Sequence, residues 1–218
     1  MKIRINITVN RAIQILLVYL FFVVTAESLF APLLAVFITE RIAGATLRTV
    51  GFALALYAIA KSAVQVPLAR ALDNKKGERD DYYTLLAGAG LSVLYPLFLI
   101  FISKPWHLYV LEIMSGISAA ALMAAYYALF ARHIDKGAEG FEWSLFSVGG
   151  LTISSAIGAA IGGVMADIFG FTTLFITSGV INIIVFFILF SLYPLLDSAR
   201  PTALPPFSPI PKNPTTKQ

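Results

Sequence analysis

Three ionisable side chains stand inside otherwise apolar runs of this chain: Glu27, Lys61 and Glu112. A charge at the centre of a lipid-embedded helix costs about 2.5–3.5 kcal/mol, so such groups face a cavity or pair with one another, and they mark paths for solutes or ions. Glu27 lies 17 residues before Gly44, and Lys61 lies 17 after it. With a reversal at Gly44 and a rise of about 1.5 Å per residue, the two share a depth near mid-bilayer. Two readings follow: a static ion pair that fixes helix register, or the lining of a substrate or ion path. Lys61 is too central to reach water along its own stem. Glu112 follows Lys104 by eight residues. That places it roughly 13 Å nearer the outer side, as part of the same path or in reach of headgroup water.

Other chemistry finds no residues. The chain has no Cys, which excludes disulfides, thiolate nucleophiles and Cys-based metal sites. Its two His, His107 and His133, fall at helix edges and make no pair at helical spacing, so neither an intramembrane protease nor a metal centre is expected. No Gly-rich loop precedes a Lys-Ser/Thr pair. The expectation is a protein that is not an enzyme, holds no metal and no cofactor, and binds no nucleic acid.

The elements that must carry these groups follow from composition. Of 218 residues, 58% are hydrophobic and 13% charged, against about 25% charged in soluble domains. A chain of this size cannot bury so much apolar surface from water. Six runs approach the ~20 residues a bilayer core requires: Ala12–Ile38, Thr49–Ala69, Tyr82–Ile102, Trp106–Ala131, Trp143–Ile168 and Phe171–Leu195. Lipid offers no partner for backbone polar groups, so each run is predicted helical, and the fold class is all-α, a polytopic membrane protein. The opening "MKIRINITVNRAIQILLVYLFFVVTA" resembles a signal peptide, but apolar sequence resumes at Ser28, and cleavage would leave half a span.

Orientation follows from Lys and Arg. Twelve fall on the side of the termini and of the second and fourth connections; Arg41, Arg48 and Lys104 fall on the other, and Lys61 lies within a span. The positive-inside rule then places both termini in the cytoplasm, with the protein in the cytoplasmic (inner) membrane. Residues 1–195 form the transmembrane domain. Residues 196–218 read as a Pro-rich, disordered cytoplasmic tail.

Small residues four apart mark close helix contacts in lipid. The fifth run carries Gly150, Ser154, Gly158, Gly162 and Ala166, with Gly163 beside them; the fourth carries Gly116, Ala120, Ala124 and Ala128. Pro32 and Pro96 lie inside runs and predict kinks. Asn182, Gln14 and Gln65 read as hydrogen-bonding glue between helices.

From Arg70 to Asp81, eight of twelve residues are charged. This stretch, "ARALDNKKGER", resembles the signature hairpin G-x-x-x-D-R-x-G-R-K of the major facilitator superfamily, with Ala69, Asp73, Gly77 and Arg79 in the motif positions and one extra residue between Asp73 and Gly77. "GAAIGG" at Gly158–Gly163 is similar to the antiporter motif G-P-x-x-G-G, with Ala159 in place of Pro. "EIMSG" puts Glu112 and Ser115 where many members have Arg and Gln. "GVMADIFG" echoes "ARALDNKKG" across the membrane, Gly163 and Asp167 matching Ala69 and Asp73. The phrases "HIDKGAEGFEWS" and "GERDDYY" look like those of a prokaryotic branch of the family.

The resemblance implies six helices in an inverted 3+3 repeat, half of a major facilitator fold. It implies a transporter that moves a small solute by alternating access. Glu27, Lys61 and Glu112 would serve substrate or coupling. Arg70, Asp73, Gly77 and Arg79 would latch the cytoplasmic gate; a solvated turn obeying the charge rule is the plainer reading of that hairpin. Family members usually have twelve helices. The partner is therefore a second copy or a separate six-helix chain, or the chain is a truncated twelve-helix transporter. Helices one, two, four and five would face partner and cavity, and three and six the lipid. The alternative function is a non-transporting membrane scaffold or partner subunit.

Overall fold

The computed structural model describes residues 9–74 and 77–196. Lys2 and Arg4, the hairpin's Lys75 and Lys76, and the Pro-rich tail from residue 197 onward lie outside the described residues. Every regular element among the described residues is helical.

Five segments are long and apolar enough to cross a bilayer: Arg11–Arg41, Leu47–Asp73, Arg79–Leu99, Pro105–His133 and Glu139–Leu195. The first comprises α1 (Arg11–Ser28), a 3-10 turn at Ala31–Leu33 and α2 (Leu34–Arg41). Asn10 caps α1, its side-chain oxygen accepting from the Ile13 N–H at 3.0 Å. Pro32 has no N–H to give to a preceding turn, and the helix is interrupted where it sits. Next come α3 (Leu47–Asp73), opened by a reciprocal Thr46–Thr49 capping box, and α4 (Arg79–Leu99), which continues through Pro96. α5 (Pro105–His133) begins with proline in its first turn, where the missing N–H has no intrahelical partner to lose.

The last segment holds α6 (Glu139–Ser144), a π-helix at Leu145–Ile153, α7 (Ser154–Ile188) and a 3-10 stretch at Leu189–Leu195. As one straight rod its 57 residues would span about 85 Å, against a hydrocarbon core of about 30 Å. Gly170 breaks it with φ 76° and ψ 172°, a conformation outside the helical region that glycine adopts without steric penalty. Contacts with α1 show the reversal. Gly158 packs on the Thr25 carbonyl, while the Ser178 hydroxyl donates to the neighbouring Ala26 carbonyl at 2.8 Å. Residues 158 and 178 thus lie at one level of α1, on two arms that meet at Gly170.

The bundle has two apolar cores, one toward each end. One gathers Ile13, Leu16, Leu20, Leu85, Leu129 and Leu189. The other gathers Leu29, Phe37, Leu99, Leu108, Leu174 and Phe175. Along the chain, Glu27 on α1, Ser92 on α4, Ser115 and Ser118 on α5 and Asn182 on α7 fall between residues of the two cores and line the central cavity. α3 stands apart: only 6% of its most apolar window is buried, against 33–50% in the other segments.

Candidate functional site

A cavity of about 370 Å³ opens between the two cores. Val23 and Glu27 come from one face of α1 and Phe30 from the turn just after it, Tyr57 and Lys61 from α3, Ser92, Tyr95 and Pro96 from α4, Ser115, Ser118 and Met123 from α5, Leu151 from the π-helix, and Asn182 from α7.

The structure brings Glu27 and Lys61 to this one cavity. No nitrogen–oxygen approach of 4.0 Å or less joins them. The Lys61 ammonium instead lies 5.8 Å from the centre of the Tyr57 ring, a cation–π arrangement that holds it against the wall. Tyr57 precedes Lys61 by four residues, one turn of the same helix face.

Glu112 sits differently from expectation. It is 3% exposed, packed against α4 rather than directed to headgroup water. Its Oε1 accepts from the Tyr95 hydroxyl at 2.7 Å. Glu112 does not line the cavity, but its partner does. Tyr95 is thus a bridge from the cavity to a buried carboxylate. Sequence reasoning passed over it because a tyrosine in an apolar run carries no charge signal.

The small residues set these walls. Gly116 on α5 lies against the Tyr57 carbonyl and Ala60, so that a methyl there would stand 2.5 Å from that oxygen. This approach fixes α3 to α5 at the level of Lys61. Gly150 meets the Leu20 side chain, Gly158 the Thr25 carbonyl and Gly162 the Leu29 carbonyl, all on α1 or just past its end. Ser154 is fully buried in the same row, and its backbone carbonyl accepts from the Thr25 hydroxyl at 3.3 Å. Gly163 has nothing within 4 Å of where a side chain would begin, so it belongs to an open face. Gly88, which no spacing singled out, lets α4 touch the α5 backbone at Leu122, and its carbonyl accepts from Ser118 at 2.8 Å.

At the end of the bundle that carries the charged hairpin, Glu78, Asp81 and Glu142 are held inward. Asp81, wholly buried, accepts from the Arg132 guanidinium at the end of α5. Glu78 Oε2 lies 3.6 Å from His133 Nε2. Asn10 donates to Asp135 Oδ1 at 3.1 Å, and the Asp135 N–H donates to Glu142 at 3.2 Å. The hairpin itself turns at Gly77, with φ 97°. Arg79 lies over the Tyr193 ring at 5.8 Å. Arg70 and Asp73 line a separate recess on the outer surface of α3 with Ser62 and Gln65. Gln14 bonds locally, donating to the Val9 carbonyl at 2.6 Å.

No curated protein and no solved structure matches the chain. The sequence profile of the Major Facilitator Superfamily matches residues 16–217, which take in every element that builds the cavity. Helices long enough to cross a membrane, a charged cavity between their apolar cores and this match agree: the chain belongs to the Major Facilitator Superfamily, a family of membrane transporters.

Proposed function

We propose that this chain moves a small solute across the cytoplasmic membrane by alternating access, as a six-helix half that works with a second copy of itself. The observation that carries the reading is the cavity that holds Glu27 and Lys61 between two apolar cores. A structural bundle has no use for opposite charges kept apart at that depth, whereas a carrier needs polar groups where the solute pauses.

In this reading the arms on either side of Gly170 are separate crossings, the fifth and sixth. The first three helices and the last three form an inverted repeat, and both termini are cytoplasmic. α3 supports the need for a partner. It carries Ser62, Gln65 and Arg70 while little of it is covered. Hydrocarbon is a poor neighbour for such groups, and a second half would shield them. A homodimer keeps both halves in the same orientation, as the family's two halves are. Arg70, Asp73, Gly77 and Arg79 act at the cytoplasmic gate, and Glu112 reports to the site through Tyr95.

The test is uptake into vesicles of reconstituted protein, from a mixture of small solutes analysed by mass spectrometry. Glu27→Gln and Lys61→Met should each lower uptake by roughly tenfold or more, the scale of one charge-assisted contact of about 1.5–3 kcal/mol. Full uptake in both variants removes these residues from the mechanism. No uptake by the wild-type protein favours the non-transporting subunit.

A further inference from the structure

The cavity presents one acid and one amine to the same space. Each is within electrostatic reach of the other, yet they form no direct ion pair. Glu27 is exposed and Lys61 half-buried in the cavity, so both charges stand open to the space between them, and a ligand carrying both opposite charges can answer both. From this geometry we propose that the cavity binds a small zwitterion, with its ammonium on Glu27 and its carboxylate on Lys61, and an apolar or aromatic group against Phe30, Tyr57 and Tyr95. That binding would drive transport rests on the function proposed above; the binding itself does not.

Charge selects the ligand. A simple cation would neutralise Glu27 but meet repulsion from Lys61, and a simple anion would meet the reverse. A zwitterion makes charge-assisted hydrogen bonds at both ends. Wrong partners are rejected by the unpaired charge they leave behind. Tyr57 keeps the Lys61 ammonium against its ring, so the amine is held ready rather than folded onto Glu27. The volume of about 370 Å³ lies near the lower end of the roughly 300–1,000 Å³ usual for small-molecule sites, which favours a ligand of amino-acid size.

The experiment measures the unfolding temperature of the purified full chain in detergent with L-alanine, L-leucine or L-phenylalanine. Parallel samples contain phenethylamine, which keeps only the ammonium, or 3-phenylpropionate, which keeps only the carboxylate. At least one zwitterion should raise the unfolding temperature by several degrees, with neither single-charge analogue doing so. Glu27→Gln and Lys61→Met should unfold near the wild-type temperature and lose the response. The proposal is overturned if no zwitterion stabilises, if a single-charge analogue stabilises as well, or if the response survives in both variants. Should either variant misfold, the comparison of ligands on the wild-type chain decides alone. A zwitterion that binds but never enters vesicles leaves this inference standing and removes the transporter. Glu27-dependent uptake of a singly charged solute does the opposite.

Discussion

The guanidinium of Arg132, in the last turn of α5, donates to Oδ2 of Asp81, a fully buried carboxylate in the first turn of α4. Each charge sits at the helix end whose dipole favours it, and together they tie the α3–α4 hairpin to the fourth crossing. Removing one member of a buried pair costs about 3–5 kcal/mol, because the other charge is left without compensation. Asp81→Ala and Arg132→Ala should therefore each lower the unfolding temperature strongly. The double variant should lose less than the two single losses combined. Thermal denaturation in detergent checks both, and strict additivity would contradict the pairing.

The small-residue row gives a test with its own control. A leucine at Gly158 or Gly162 would drive atoms into the backbone carbonyls of Thr25 and Leu29. Overpacking of this kind costs about 1–3 kcal/mol or more. A leucine at Gly163 meets open space and should be neutral or slightly stabilising, since glycine is a poor helix former. The folded fraction of the three variants, measured by size exclusion and melting, should separate the first two from the third.

Much of this architecture was legible in the chain. Apolar runs near bilayer length marked helical segments, although the last two runs share one segment, Glu139–Leu195, broken at Gly170; the row Gly150, Ser154, Gly158 and Gly162, read from its spacing as a close-contact face, lies against α1 and the turn after it. The symmetry of Glu27 and Lys61 about Gly44 placed them at one depth, and they do line one cavity. Three things were not legible. The Tyr95–Glu112 bond depends on the rotation of α4 against α5, which a run with little amphipathic contrast does not reveal. The π-helix at Leu145–Ile153 leaves no residue signature. The Asp81–Arg132 pair joins positions 51 apart, and no local spacing links them.

The six crossings proposed above make a sharp topological prediction. The chain has no native Cys, so single cysteines report without background. Ala45→Cys, Ser103→Cys and Thr172→Cys should react with an impermeant maleimide added outside intact cells, while Ala138→Cys should react only after lysis. If Thr172→Cys behaves like Ala138→Cys, the arms around Gly170 are not two crossings.

The partner face is testable by crosslinking. Phe52, Ile59 and Val66 are exposed along α3. In the homodimer, cysteine at one or more of these positions should crosslink to its copy in native membranes. Ser154→Cys, buried in the row turned toward α1, should not. Crosslinking nowhere along α3 would remove the second copy from the account and leave a separate chain as the partner.

The account rests on a central cavity that opens in turn to both sides of the membrane. Ser115→Cys places a thiol on its wall. Labelled with an impermeant maleimide in sealed vesicles of known orientation, it should react from the outside in one preparation and from the inside in another. Reaction from a single side under every condition would contradict alternating access.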